Sequence, residues 1–494
     1  MLKELTEELY GAIEVSTSKV RFMIMAGDGE VVWSRFLKQG TVRGPSGNGR
    51  QRPSRWLRRI ARLVANAQAD GMPLERLAAI GVTCTTPTLV PVDQRNTALN
   101  DEAVLWCDTA VCGQPNARCS NVGLRKMAAF AKSDAHLFRN CHHVADATGY
   151  VISQLTGSLV STRAALLQKF AWLGGGQFDT EGLDELPSGL VNAMLQKIPP
   201  NVANTGQLVG TVSPLGSERT GIPSGTPIVA CGYDSISALP GGGICEPSTA
   251  LLASLGTSVA FYLCPHPQVE SIGQWATGRG LLPGNHYIAS GGFEAGMQSI
   301  DLIHRVVRLA CQVAGDRELE EVAKAGEARF DHHCIALPFG GVPLRAPLAG
   351  RCFQTHVMVN AVVPTPEHLL IAMRRGIACY LRYSIEDLRS HGVGVERVHL
   401  VGGGTKSPSF CKLVADCCQV PVVRFDASAA SVGTAILAEG SLRGQLRMNQ
   451  RIRQLTTTRT IFSPTERIGF YDEVYQGFHG QLERQMDFVE RTSA

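Results

Sequence analysis

The chain has 494 residues, 44% of them hydrophobic, with 47 Lys+Arg against 43 Asp+Glu for a net charge of +4. That length is more than one hydrophobic core serves and suits two domains of about 200 residues each, with room for insertions. The balanced charge excludes a global basic field for nucleic acid or an anionic membrane, and no apolar run reaches the ~18 residues that would suggest a membrane span.

Fifteen Cys are scattered without a CxxC pair, and the N-terminus carries charges where a secretory apolar region would stand, so a reducing, cytoplasmic setting is expected. Cys141-His142-His143 and His332-His333-Cys334 do not suggest structural zinc, because adjacent residues rarely point at one ion.

Taken in order, residues 11–35 read as paired strands: GAIEV, a turn at Ser16-Thr17-Ser18, VRFMIMA, a turn at Gly27-Asp28-Gly29, and EVVWSR. A polar Gly-rich loop follows at 40–50, and Ser54 is placed as the cap of a helix running through Trp56, Leu57, Ile60, Leu63 and Val64. Arginines from Arg50 to Arg62 cluster there. Without an accompanying aromatic series they read as a solvated helix face rather than a nucleic-acid patch.

The strand LAAIGVT leads into Cys84-Thr85-Thr86-Pro87-Thr88, a hydroxyl-rich strand end suited to a polyol, and LVPVD forms the next strand. In AVLWCDTAV, Trp106 and Asp108 fit a sugar grip, the ring packing on C–H groups and the carboxylate accepting from hydroxyls. A core Trp beside a surface Asp fits equally well. Residues 120–200 read as mainly helical, broken at Gly174-Gly175-Gly176 and stopped at Pro199-Pro200.

The stretch 226–258 is the centre of the chain's organisation. An apolar run ends in Gly232-Tyr233-Asp234-Ser235, which places Asp234 at a strand end before small residues that permit close backbone approach. A second run breaks at Ser254-Leu255-Gly256-Thr257-Ser258 and resumes as a strand, giving a hairpin turn whose amides and hydroxyls can hold phosphate. This echoes the turn at Ser16, and one carboxylate beside a phosphate loop suggests phosphoryl transfer. Two unrelated hairpins with common turn residues would look the same.

Further on, residues 365–391 form one long helix with Ile371, Met373, Ile377, Tyr380, Leu381 and Ile385 on its apolar side. VERVHLVGGGTKSPSF then gives a strand, a turn at Gly402-Gly403-Gly404, and a helix with Ser407 as N-cap and Pro408 as first residue, whose amides are expected to open toward the glycines.

These pieces, in this order, resemble the FGGY family of carbohydrate kinases. EVSTSKVRF is similar to its first phosphate motif, CTTPT and AVLWCD to its sugar-binding strand ends, and VACGYDSISA to the stretch bearing its catalytic Asp. SLGTS resembles its second phosphate motif, VGGGTKSPSF its adenosine motif, SVGTAILA the helix closing the second domain, and FYDEVYQ its C-terminal helix.

The resemblance implies an α/β fold of two actin-like (ribonuclease H-like) domains around a central cleft. The sugar-binding domain would occupy 1–245, and the ATP-binding domain, with a helical tail, 246–494. It also implies the residue roles. Asp234 takes the proton of the attacking hydroxyl. Ser16, Thr17, Ser18, Gly256, Thr257 and Ser258 hold phosphate, Gly402, Gly403, Gly404 and Ser407 serve ATP, and Thr85, Thr86, Trp106, Asp108 and Tyr233 contact the sugar. Mg²⁺ is expected near Glu14 and Asp234. ATP and a small sugar are the expected ligands, with no nucleic acid or membrane partner, and a homodimer is compatible.

The chain departs from the family's Asp-x-Gly-Thr with Glu14-Val15-Ser16-Thr17, has Ala110 where the family carries Arg, and has a degenerate GVPLRAPLAG segment. CTTPT looks more like ribulokinase-type members than the Gln-Met-His of xylulokinases, so a pentulose is the expected acceptor. A weakened relative acting as a sugar or nucleotide sensor is the alternative, and the retained Asp234 argues against it.

Overall fold

The computed structural model describes residues 8–43, 49–114, 120–256, 258–266, 269, 272–293, 296–313, 315–339, 344–359, 363–425, 428–457 and 459–493. The chain divides into two compact units. The first holds Met1–Glu246, Gly278–His286 and Ala429–Leu455, and the second holds Pro247–Thr277, Tyr287–Ser428 and Thr456–Ala494.

In the first unit three consecutive strands, Leu9–Val15, Lys19–Ala26 and Val31–Lys38, form an antiparallel meander. Leu77–Cys84 adds parallel to the first of them, Pro227–Tyr233 parallel to that, and Gln207–Thr211 closes the far edge antiparallel. All seven residues of Leu9–Val15 are buried, and their alternation sorts them onto two faces. Leu9, Ile13 and Val15 join Trp56, Ile60, Leu63 and Val64 of the helix Pro53–Ala69 in one core, while Tyr10 and Ala12 join Val432, Ala435 and Ile436 in another.

The expected helix is therefore present, but its cap differs. Arg52 is the N-cap and Pro53 the first residue, while the backbone N–H and hydroxyl of Ser54 both donate to the Asp101 carboxylate, at 2.8 and 2.6 Å.

The second unit repeats the arrangement. Ala250–Leu255 and Val259–Leu263 pair antiparallel, Tyr287–Phe293 adds beyond them, and Arg397–Gly402 and Val422–Arg424 follow parallel on the other side. Both sheets thus carry the strand order 3-2-1-4-5 with the same directions, and the turns at Ser16–Ser18 and Gly256–Ser258 each link the first two strands. The echo read from the sequence is structural. Ile371, Met373, Ile377, Tyr380, Leu381 and Ile385 of the helix Pro366–Ser390 all enter the second unit's core.

One helix lies elsewhere than expected. Ala429–Arg443, read as closing the second domain, packs on the first unit's sheet and along the helix Asp234–Gly241. Small residues are the reason. A Cβ on Gly433 would lie 1.8 Å from Ser237 O, and one on Gly241 1.9 Å from Ala429 O, so the two helices touch backbone to backbone. A boundary at 245/246 is thus only the first of several crossings between the units.

No helix among the described residues is long and apolar enough to cross a membrane.

Candidate active site

The first unit gathers most of the expected residues at the strand ends nearest Val15 and Tyr233. Asp234 opens its helix directly after the strand Pro227–Tyr233, and the Ser235 N–H donates to Asp234 Oδ1 at 2.8 Å. Burial pushes the Asp234 carboxyl up to about 7, and the negative charge of Glu14 pushes it the same way. The Ser235 hydrogen bonds and the Lys169 ammonium oppose the shift without cancelling it.

Glu14 is buried on the strand Leu9–Val15. Its carboxylate accepts from Ser431 Oγ at 2.5 Å and lies 3.8 Å from both Lys19 Nζ and Arg21 Nε. A carboxylate pair that raises one member's pKa is an arrangement a divalent cation relieves, so Glu14 and Asp234 fit a Mg²⁺ site by their chemistry.

In the first turn, Ser16 closes on Lys19 O through its N–H, at 2.9 Å, and through its hydroxyl, at 3.1 Å. Thr17 receives the Trp106 indole N–H at 2.7 Å, and Ser18 is exposed. Trp106 is thereby fixed against the turn and only partly buried, which leaves part of the indole available to a ligand.

The threonine stretch is held from beneath. Thr85 and Thr88 share a hydroxyl contact of 3.1 Å, and Thr86 Oγ1 donates to Asp146 Oδ1 at 2.7 Å. Burial pushes the Asp146 carboxyl up to about 6, against those hydrogen bonds. Tyr233 is buried, with Lys169 Nζ 6.0 Å from its ring centre.

Asp108 is a correction. Its side chain is fully buried and accepts from Gly49 N at 2.9 Å, from Ala110 N at 2.9 Å and from Arg50, so its oxygens are engaged within the protein instead of facing a sugar. The long-range partner Arg50 explains this, and sequence had read Arg50 only as part of a solvated face.

In the second unit Gly256 N donates to Ser258 O at 3.1 Å and closes the hairpin turn, while Thr257 lies outside the described residues. Gly402 has φ +95°, and a Cβ there would meet Leu255 O at 2.6 Å. Glycine is required at that point because the strand end lies against the hairpin. Gly403 is different: it is exposed, and the nearest atom to a Cβ would be 3.9 Å away. Gly404 is buried.

Ser407 is the N-cap of the helix Pro408–Cys418, as expected, accepting from Phe410 N at 3.2 Å. The amides are not open, however. Glu320 takes the Ser407 hydroxyl at 2.5 Å and the Ser409 N–H at 2.8 Å, and buried Arg374 donates to the Ser407 and Ser409 hydroxyls. The carboxylate already complements the helix terminus.

Sequence reasoning missed Asp146, Lys169, Ser431, Glu320 and Arg374, each of which meets its partner only through tertiary folding. The Asp before the helical run at 147 is the one such signal a capping rule could have flagged.

Residues 251–440 match the C-terminal domain of the FGGY family of carbohydrate kinases. A ribulokinase of Shouchella clausii is 22% identical over 282 residues, 55% of this chain and 49% of that one, so the chain's match spans about half that relative's length. A xylulose kinase of Haemophilus influenzae is 22% identical over 469 residues, 87% of this chain and 90% of that one. The solved xylulose kinase from Rhodospirillum rubrum aligns over 98% of this chain and 100% of its own, with a TM-score of 0.76 at 18% identity. That likeness is one of fold, a mixed α/β architecture with two actin-like domains, in keeping with the repeated strand order. Residues 251–440 are thus similar to the C-terminal domain of the FGGY family of carbohydrate kinases, and the motif order and the fold agree with that match.

Proposed function

We propose that the protein transfers the terminal phosphoryl group of ATP to a hydroxyl of a ketopentose, ribulose or xylulose, or of a related polyol. The observation that carries this reading is Asp234, a carboxylate at a strand end held near pKa 7 by burial and by Glu14. A general base works best when its pKa lies near the working pH, and it contributes roughly 10²- to 10⁴-fold. The names of the ribulokinase and xylulose kinase relatives support the acceptor class.

In this reading Asp234 accepts the proton of the attacking hydroxyl. Trp106 presents a ring face, Thr85 and Thr86 present a hydroxyl-rich strand end, and Tyr233 backs Asp234. The turns Ser16–Ser18 and Gly256–Ser258 hold phosphate, and exposed Gly403 leaves room for a flat ring against the backbone. Asp108 holds the Trp106 loop from behind. Glu14 and Asp234 would hold Mg²⁺, which when bound neutralises phosphate charge.

The test is ADP release by the full chain with ATP, Mg²⁺ and a panel of ketoses and polyols. Release that requires a pentulose supports the reading, and release independent of every sugar overturns it.

A further inference from the structure

The turn Asp146-Ala147-Thr148 connects the strand His143–Asp146 to the helix Ala147–Thr156 and ties together three neighbours. Asp146 Oδ1 accepts from Thr86 Oγ1 at 2.7 Å and from Thr88 N at 3.3 Å, and Ala147 N donates to Thr88 O at 3.0 Å. Thr148 Oγ1 accepts from Cys84 N at 3.1 Å and donates to Gly232 O at 3.0 Å. Gly232 stands two residues before Asp234, and its φ of +70° makes its placement exacting.

Asp146 is 7% exposed and Thr148 0%, so both act through what they hold. Asp146 Oδ2 is buried at the first turn of the helix, where the backbone N–H groups of Ala147 and Thr148 favour its charge. A carboxylate buried there, with its other oxygen on the threonine stretch, holds a fixed geometry at a desolvation cost.

We infer that this turn is the brace of the acceptor site, with Asp146 setting the conformation of Thr85–Thr88 and hence sugar affinity, and Thr148 setting the backbone from which Asp234 projects. Both are positioning residues. The inference rests on the reading that Thr85–Thr88 contacts a pentulose.

The experiment is steady-state kinetics of the full chain with D-ribulose and D-xylulose at saturating ATP. Asp146→Ala removes the acceptor and raises sugar KM about tenfold, the scale of a lost hydrogen bond to a charged group, with kcat within about twofold. Asp146→Asn keeps an acceptor oxygen and restores KM to within about twofold. Thr148→Val shows the opposite split, a lower kcat with little change in KM. Thr86→Val removes the same bond from its other end, and carries the test if Asp146→Ala does not fold.

A wild-type sugar KM in Asp146→Ala, or in Thr86→Val where the former does not fold, overturns the brace. So does a joint loss of kcat and affinity in Asp146→Ala that Asp146→Asn does not rescue. Thr85→Ala separates the two failures: a raised KM there, with Asp146→Ala unchanged, overturns the brace alone, whereas no change in either overturns the sugar contact as well.

Discussion

Ser431 donates its hydroxyl to Glu14 Oε2 at 2.5 Å, joining the helix Ala429–Arg443 to the first strand of the first unit. The Ser431 hydroxyl, together with Lys19 and Arg21, fixes where the Glu14 carboxylate ends. If the pair serves a metal, Glu14→Gln lowers turnover and raises the Mg²⁺ concentration needed for half-maximal rate. Ser431→Ala moves the same Mg²⁺ requirement several-fold with a smaller loss of turnover. A Mg²⁺ titration at saturating ATP and sugar, with Mn²⁺ binding measured alongside without ATP, checks both. An unchanged metal requirement in Glu14→Gln removes Glu14 from that role.

The pH dependence follows from Asp234. Without a metal its carboxyl is pushed up to about 7, and the base must be ionised to accept a proton, so kcat/KM at limiting Mg²⁺ falls as pH drops below about 7, and the fall moves to lower pH as Mg²⁺ saturates the Glu14–Asp234 pair.

Stability moves the other way. A folded pKa above the unfolded value favours the protonated form, so Asp234's contribution is fully present below about pH 4 and is lost as pH rises through about 7. Asp234→Asn stays neutral and therefore melts higher than wild type at pH 8, by about 2–4 °C for each kcal/mol involved, with the gap narrower at pH 5 and closing only below about pH 4. Melting curves at the two pH values check the sign.

Two neighbouring glycines separate folding from binding. Gly402→Ala places a Cβ 2.6 Å from Leu255 O at φ +95°, which costs about 1–3 kcal/mol and lowers the melting temperature. Gly403→Val meets open space, so melting shifts little while calorimetric ATP affinity falls at least about tenfold. The reverse pattern would make Gly403 a structural glycine.

Helix contact in the first unit gives a further check. Gly433→Ala drives a Cβ to 1.8 Å from Ser237 O, a backbone atom that cannot rotate away, so it destabilises by at least about 1–3 kcal/mol. Gly444→Ala has nothing within 4 Å of its added Cβ and serves as the contrast, with only the strain of φ +84°.

Much of this was legible in the sequence because it is local. The alternation in Leu9–Val15, the turn residues at Ser16–Ser18 and Gly256–Ser258, and the Ser407-Pro408 helix start each follow from period or turn chemistry within a few residues. What was not legible depends on partners far along the chain. Asp108 read as a sugar ligand until Arg50 was seen to take its carboxylate, the amides after Pro408 read as open until Glu320 was seen to fill them, and SVGTAILA read as second-domain until Gly433 was seen against Ser237. Spacing records which residues are near in sequence, and burial of a charge is decided by those that are not.

The most direct test of the account is sugar-dependent ADP release by wild type and Asp234→Asn, with D-ribulose and D-xylulose, alongside calorimetric ATP binding. The amide keeps the shape and loses the proton acceptor, so the account predicts intact ATP binding with turnover reduced roughly 10²- to 10⁴-fold. Near wild-type release by Asp234→Asn would contradict it.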